Sequence, residues 1–260
     1  MGQSLKEVWR HRDLVLSFAV RDVKARYKQT VFGVAWAIFQ PFALMLVFTL
    51  VFSRFAKIPT EGVPYPVFSY LSLVFWTFFA MTISQGTVAI VANANLVRKI
   101  YFPRETLLMS IVLSAGLDLT VATVIFGGML YYYEIPITLQ ALWVPVLLVL
   151  QTLLAFGVIC FTSAMHVNFR DIGHAIPLTL QLWMFVSPVA YPLSLVPAAW
   201  LPIYLLNPMA SIIEGYRFAL LGGAPPNLAY LALDSWITLV VALAGYAMFK
   251  RVERTFADVI

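Results

Sequence analysis

The chain has 260 residues, of which 62% are hydrophobic and only 11% are charged, with a formal net charge of +5. Soluble domains typically contain about 45–50% apolar and ~25% charged residues, so these values exclude an ordinary soluble domain and indicate that most of the chain lies in lipid. The lone Cys160 excludes a disulfide framework and a cysteine-based metal cluster.

Residues 4–30 have the pattern of an amphipathic helix. Apolar residues recur at spacings near three, four and seven, and basic residues fill the opposite face. Such a helix lies in the membrane interface, with its cations among the lipid phosphates. It is either a lipid anchor only, or its cations also contact the anionic headgroup of a substrate. The cations concerned are Arg21, Lys24, Arg26 and Lys28.

Six stretches are long and apolar enough to cross a bilayer, which takes roughly 20 helical residues. They cover residues 31–53, 67–92, 107–133, 141–165, 175–193 and 229–249. The region from 195 to 228 is apolar but is broken by five prolines. It predicts a re-entrant helical pair beside a pathway, because non-helical backbone at membrane depth must be covered by protein or line a cavity.

The basic residues set the orientation of these spans. Fourteen of the 17 lysines and arginines fall on one side, in the amino-terminal segment, the second and fourth loops and the tail. The positive-inside rule therefore predicts that both termini are cytoplasmic. The basic excess is an orientation signal, and no nucleic-acid partner is expected, because no compact basic domain lies outside the lipid.

The second loop, residues 97–105, reads VRKIYFPRE. It carries three cations beside Tyr101 and Phe102, both of which are expected to be exposed. One interpretation is a positively charged loop that only fixes topology. The other is a surface that a cytoplasmic partner binds.

Aromatic residues are spaced along three spans. Trp36 and Phe39 lie on the first with Gln40 beside them, Phe75 and Phe79 lie on the second, and Trp183 and Phe185 lie on the fifth. Aromatic rings can stack against the C–H faces of sugars. Lipid contact and core packing explain the same residues, because membrane helices carry many aromatics.

The sequence lacks the motifs of an energy-transducing enzyme. It contains no GxxxxGK[ST] phosphate loop, no GxSxG elbow and no HExxH helix. Its only acid well inside a predicted span is Asp118, which we interpret as bonded to a neighbouring helix or a water-filled cavity. His166 and His174 flank a short loop, with no carboxylate arrangement typical of a metal site. The energy for any transport must therefore come from a partner.

Five segments, in order, carry a resemblance to a known family. They are RDVKARYKQTVFGVAW at 21–36 with Gln40 and Pro41, NLVRKIYFPRE at 95–105, VNFRDIGHAIP at 167–177, FVSPVAYP at 185–192 and LNPMASIIEGYR at 206–217. The chain resembles the membrane subunits of ABC-2-type exporters of cell-surface polysaccharides, which include O-antigen and teichoic-acid permeases. The resemblance runs through nearly the whole chain.

The resemblance implies an all-α integral membrane protein with six transmembrane helices. Residues 1–30 form a cytoplasmic interface helix, and residues 31–260 form one transmembrane domain with a re-entrant outer gate at about 195–228. Two copies would associate with two copies of a cytoplasmic ATPase in a bacterial inner membrane. ATP and Mg would be bound by that partner, and no cofactor by this chain.

The resemblance also assigns roles to residues of this sequence. ATPase coupling falls to Arg98, Lys99, Tyr101, Phe102, Pro103, Arg104, Arg170 and Asp171. Contact with a lipid pyrophosphate falls to Arg21, Lys24, Arg26 and Lys28. The polysaccharide channel falls to Trp36, Phe39, Gln40, Phe75, Phe79, Trp183 and Phe185, and the outer gate to Trp200, Tyr204, Asn207 and Pro208.

The implied function is a non-enzymatic transport subunit that moves a polyprenyl-pyrophosphate-linked polysaccharide from cytoplasm to periplasm, with O-antigen favoured. Export of teichoic acid or capsular polysaccharide is an alternative on the same fold, as is export of drugs or small lipids. A membrane enzyme that acts on polyprenyl phosphates is the alternative of another class. It would need clustered carboxylates or histidines, and Asp22, Glu105 and Asp171 are scattered along the chain.

Overall fold

The structure, a computed structural model, describes residues 10–28, 30, 32–60, 62–100, 102–223, 225–253 and 256. In this part of the chain the regular structure is helical, without strands, so the predicted all-α membrane fold is confirmed. The α-helices are α1 (Arg12–Tyr27), α2 (Trp36–Phe48), α3 (Tyr65–Ala92), α4 (Ala94–Lys99), α5 (Glu105–Tyr132), α6 (Val144–Asn168), α7 (Ile172–Phe185), α8 (Leu201–Tyr204), α9 (Pro208–Leu221) and α10 (Leu228–Val252).

Five helices among the described residues are long and apolar enough to cross a membrane. Two begin with a 3-10 turn that precedes α2 or α6, and the first also continues beyond α2 as a π-helix. Each lies within a few residues of a predicted span, because the thickness of the hydrocarbon core sets the length of an apolar run. They cover Gly33–Phe55, Tyr65–Ala92, Glu105–Tyr132, Leu139–Asn168 and Leu228–Val252.

The predicted fifth span is shorter than expected. Helix α7 has 14 residues and ends at Phe185, so the predicted end at residue 193 is wrong. Pro188 disfavours helical backbone at Ser187, and a second proline follows at position 192. At 1.5 Å per residue α7 is about 21 Å long, which is less than the roughly 30 Å hydrocarbon core. The count of six full spans therefore stays a prediction.

Two helices of unequal length follow in the proline-rich region. The four-residue α8 is half exposed, whereas α9 is largely buried. Asn207 accepts a hydrogen bond from the backbone N–H of Met209 and caps α9. The helix ends at Gly222, whose φ of 74° lies in the left-handed region that favours glycine. That the pair re-enters the membrane stays a prediction.

Helix α3 lies at the centre of the bundle, packed against α2, α5, α6, α7 and α9. Helix α1 packs along α5, and α10 packs along α6. The α6–α10 contact depends on two glycines. A Cβ on Gly157 would lie 2.6 Å from the Cα of Ala242, and a Cβ on Gly245 would clash with the carbonyl oxygen of Gly157. These helices approach more closely than side chains would allow.

Candidate functional site

The loop at residues 97–105, predicted to be cytoplasmic and called here the first cytoplasmic segment, presents a small basic and apolar surface. Arg98 and Lys99 at the end of α4 are exposed, and Ile100 beside them is 56% exposed. Tyr101, predicted as a coupling residue, lies outside the described residues. Among the described residues of this segment, Arg98, Lys99 and Ile100 offer a partner two cations beside an apolar side chain.

Phe102 is placed differently from the expectation. It is 7% exposed, and its ring meets that of Phe18 on α1 edge-on, with the centroids 5.9 Å apart. The expectation that Phe102 is exposed is therefore wrong, because the interface helix covers it. Pro103 and Arg104, which follow, are partly buried.

The second turn that is predicted to be cytoplasmic, at residues 169–171, connects α6 to α7. Arg170 and Asp171 are both exposed there, next to Phe169, which is 63% exposed. The backbone N–H of Gly173 donates to Nδ1 of the buried His166 at 3.1 Å. His166 thus fixes the start of α7 and the position of the turn. Its spacing from Gly173 in the sequence gives no signal of this contact.

A charged cluster joins α1 to two spans. The guanidinium of Arg26 forms an ion pair with Asp118 on α5, and donates to the side chains of Gln85 on α3 and Ser114 on α5. The hydroxyl of Tyr27 donates to Oδ1 of Asp118 at 2.7 Å. Burial and this hydrogen bond raise the pKa of Tyr27 to about 12, so the phenol stays protonated as the donor. The interpretation of Asp118 as bonded to a neighbouring helix is confirmed.

Successive contacts between α1 and α5 advance in the same direction along both helices. Ser110 donates to Oδ2 of Asp22 at 3.2 Å, and one turn further along both helices Arg26 contacts Ser114. Helix α1 therefore runs alongside α5 rather than across it. Arg21 forms an ion pair with Asp22 at 2.8 Å, with 44% of its side chain exposed.

The four cations predicted to contact a pyrophosphate therefore lie in different environments. Lys24 and Lys28 are exposed, and Arg21 is exposed in part. Only 17% of the Arg26 side chain is exposed, and its guanidinium already has a carboxylate partner. The helical periodicity of the sequence identified the residues that share a face, but not which face meets the protein.

A cavity of about 280 Å³ lies between the end of α1 and the spans. Its polar end is formed by Arg26, Tyr27 and Asp118, and most of its remaining wall is apolar. Trp36 and Gln40, both predicted for the channel, line it.

The predicted channel residues of the first span are exposed on the outside of the chain. Trp36 is 42% and Phe39 is 52% exposed, and their rings meet edge-on at 5.3 Å. Phe32 and Gln40 on the same segment are exposed as well. At the far end of α7, Phe185 is also exposed.

Two other predicted channel residues are interior. Phe75 stacks on Tyr216 of α9 with the ring centroids 3.5 Å apart, and Phe79 is fully buried against Trp183 at 5.2 Å. Because both phenylalanines pack inside the helical bundle, they offer no surface on which a sugar could stack.

The predicted gate residues meet the end of α7. Trp183 Nε1 donates to Oδ1 of Asn207 at 2.9 Å, and Asn207 Nδ2 donates to Oγ of Ser187 at 2.9 Å. Asn207 thereby ties the start of α9 to the last turn of α7. The hydroxyl of Tyr204 lies 3.1 Å from that of Tyr191.

The other two predicted gate residues differ in exposure. Pro208 is the buried first residue of α9, whereas Trp200 is 64% exposed. The structure thus brings Tyr204, Asn207 and Pro208 together and leaves Trp200 on the surface.

Sequence reasoning missed a buried arginine near these residues. Arg217 on α9 is 5% exposed and forms an ion pair with Glu214 one turn earlier. It donates to Oγ of Ser72 on α3 at 2.9 Å and to the carbonyl of Pro188, and its guanidinium lies 3.8 Å from the ring centroid of Phe68. Its sequence signal is a Glu–Arg pair at i,i+3 in an apolar helix.

In the part of the chain that the structure describes, no three His, Cys, Asp or Glu side chains are grouped as metal ligands would be. The clusters present are ion pairs between helices and exposed cations at the two cytoplasmic turns. Such an arrangement can transmit movement and bind anions.

The chain is similar to known proteins over most of the regions described above. The model of the ABC-2 type transporter family matches residues 13–221, from α1 to α9. The chain is 28% identical over 263 residues to "O-antigen export system permease protein RfbA" of Myxococcus xanthus, covering 99% of both proteins. It is 26% identical over 249 residues to the protein of that name from Klebsiella pneumoniae, covering 95% of both.

A further relative is named for the transport of a different polymer. The chain is 26% identical over 238 residues to "Polysialic acid transport protein KpsM" of Escherichia coli, covering 87% of this chain and 90% of that protein. All three relatives match along most of their length, so the similarity extends over the whole helical bundle.

Proposed function

This chain belongs to the ABC-2 type transporter family, and from that premise we propose that it is the membrane subunit of an exporter that moves a polysaccharide from the cytoplasm to the periplasm. One observation carries the proposal: relatives named as O-antigen export permeases match it over 95% to 99% of its length. As a multi-pass membrane protein of a permease family, the chain is a transport subunit and not an enzyme.

The energy is proposed to come from two copies of a cytoplasmic ATPase bound to two copies of this chain. The sequence has no phosphate-binding loop of its own. Two exposed apolar residues, Ile100 and Phe169, each adjoin an exposed cation on a cytoplasmic turn. Apolar anchors flanked by charge are typical of protein interfaces. ATP and Mg would be held by the partner.

The proposed substrate is a glycan attached to a polyprenyl pyrophosphate. Lys24 and Lys28 are exposed on α1, and Arg21 is exposed in part. Exposed cations at a membrane surface attract phosphate groups. Arg26 supports this role less, because only 17% of its side chain is exposed and its guanidinium also bonds Gln85 and Ser114 besides Asp118. We therefore assign the pyrophosphate contact to the three exposed cations.

The proposed path for the glycan lies between two copies of the chain. Trp36 and Phe39 on α2 are 42% and 52% exposed, and Phe185 on α7 is 51% exposed. If the faces of two copies that carry these residues surrounded a conduit, their rings would line it and could stack against a passing sugar polymer. The proposed location is a bacterial inner membrane with both termini cytoplasmic, in line with the basic residues of the loops.

A second candidate cargo is capsular polysaccharide, which the similarity to the polysialic acid transport protein favours. A strain that lacks this chain distinguishes the two, because it loses either the O-antigen or the capsule from its surface and accumulates that glycan inside.

Reconstitution tests the proposal directly. Proteoliposomes that contain this chain, its ATPase and a polyprenyl-pyrophosphate-linked glycan are expected to translocate the glycan when ATP is added. An ATPase variant that cannot hydrolyse ATP is the control. Translocation by this chain without an ATPase, or no loss of any surface glycan in the deletion strain, would contradict the proposal.

A further inference from the structure

A buried carboxylate begins α5, directly after the first cytoplasmic segment. Glu105 is 1% exposed and lies in the first turn of the helix. The positive end of the helix dipole favours an acid there only modestly. Removing a carboxylate from water costs considerably more. Glu105 therefore requires a cation from another element.

The last helix supplies that cation. Nζ of Lys250 on α10 forms an ion pair with Oε1 of Glu105, and the hydroxyl of Tyr246, one turn earlier, donates to the same oxygen at 3.1 Å. Lys250 also contacts Oε2 of Glu253 at 2.8 Å. Oε1 of Glu253 accepts from the backbone N–H of Arg104 at 3.4 Å and lies 3.8 Å from its Nη1.

The network therefore fastens the first cytoplasmic segment to the end of α10. Two acids and two bases alternate along it, so each charge has an opposite neighbour. The side chains of Arg104 and Glu253 are 18% and 14% exposed, so solvent screens these charges less than it screens surface pairs.

Helix α10 continues the connection to the second turn. It packs on α6 through the close approach of Gly157 and Gly245. Helix α6 ends at Asn168, directly before the turn with Arg170 and Asp171. A displacement can pass between sites through packed helices and ion pairs that hold while they move. One continuous path thus joins the two cytoplasmic turns.

We propose that Lys250 and Glu253 are positioning residues of the transport cycle. They fix the first cytoplasmic segment to α10, so that both turns move as one unit when the ATPase closes. This inference rests on the proposed function, because it concerns how movement of the ATPase reaches the membrane helices.

The experiment compares two neighbouring cations in the reconstituted complex. Lys250→Met removes the charge that faces Glu105, whereas Arg251→Met removes an exposed cation at the next position. The measurements are the amount of ATPase that co-purifies, the rate of ATP hydrolysis and the glycan exported per ATP. With Lys250→Met we expect the ATPase to bind normally and export per ATP to fall about fivefold or more, the lower end of typical coupling. Arg251→Met is expected to behave as wild type.

Two further variants separate positioning from folding. Lys250→Arg retains the cation and is expected to recover most of the export per ATP, measured on equal amounts of assembled complex. Glu253→Gln weakens the contacts to Arg104 and leaves the Glu105–Lys250 pair intact. It is also expected to lower export per ATP, while the amount of the variant in the membrane stays normal. Glu253→Gln therefore tests the proposal even if Lys250→Met does not accumulate.

The outcomes distinguish the two proposals. If wild type exports glycan, and Glu253→Gln and any assembled Lys250→Met match Arg251→Met, the positioning role is wrong and the proposed function stands. If wild type neither binds an ATPase nor exports, the proposed function fails and this inference fails with it.

Discussion

Arg26 on the amino-terminal helix forms an ion pair with Asp118 in the middle of α5, 92 residues away in the sequence. The pair lies about 20 Å along α5 from Glu105, at 1.5 Å per residue. With side-chain exposures of only 17% and 10%, both charges are largely removed from water. The amino-terminal helix is thereby held to the bundle by a charge pair as well as by apolar contacts.

The first prediction concerns this pair. Asp118→Leu leaves the guanidinium of Arg26 without its carboxylate, and loss of one partner of a buried pair costs about 3–5 kcal/mol. We expect a large drop in the thermal stability of the detergent-solubilised protein. Arg26→Met combined with Asp118→Leu is expected to recover much of it, because no charge then remains buried. Additive losses in this double-mutant cycle would contradict the interpretation.

The second prediction concerns the exposed cations of α1. Each lysine near an anionic membrane surface contributes about 1 kcal/mol, which is about fivefold in affinity. Lys24→Gln with Lys28→Gln is therefore expected to weaken binding of a polyprenyl diphosphate to the nanodisc-reconstituted protein by about 30-fold at low salt. Arg98→Gln with Lys99→Gln removes the same charge from the first cytoplasmic segment. Equal weakening by both pairs would mean that net charge alone attracts the lipid.

The spans could be predicted from the sequence because lipid imposes their length. Between 175 and 193 the same apolarity continues through an irregular segment, and hydropathy does not distinguish that segment from helix. The local signal for the end of α7 is Pro188, which disfavours helical backbone at Ser187. Hydropathy does not register this signal, because the apolar run continues past it.

The candidate site was predictable in part. Exposure of Arg98, Lys99, Arg170 and Asp171 follows from their position on short charged turns. The partners of the interior residues do not follow from local pattern, since periodicity gives the residues that share a face but not what covers that face. Phe75 against Tyr216 is such a case, with two rings on helices far apart in the chain.

The third prediction concerns the apolar residues of the two cytoplasmic turns. Ile100 and Phe169 are 56% and 63% exposed. If both anchor the ATPase, each is expected to behave as an interface hot spot of about 2 kcal/mol, so either alanine variant weakens ATPase binding about 30-fold. Leu139→Ala, at an 86% exposed position on the other predicted side, is the control. Unchanged affinity in both turn variants would remove these residues from the interface.

The fourth prediction concerns Arg217. Its planar guanidinium bonds Glu214, Ser72 and the carbonyl of Pro188 in different directions, and an ammonium group does not reproduce that fork. Arg217→Lys is expected to lower thermal stability markedly, whereas Arg54→Lys at an exposed position leaves it unchanged. Equal melting temperatures for the two variants would show that the guanidinium geometry is not needed.

The fifth prediction concerns the second cytoplasmic turn. A Cβ on Gly173 would lie 2.7 Å from Cε1 of His166, so Gly173→Ala forces the ring or the turn to shift. Overpacking of this kind typically costs about 1–3 kcal/mol. We expect Gly173→Ala to lower both thermal stability and ATPase co-purification, because Arg170 and Asp171 move with the turn. His166→Ala in the same chain removes the clash and is expected to restore stability in part. A double variant less stable than either single variant would mean that the imidazole does not oppose the new methyl group.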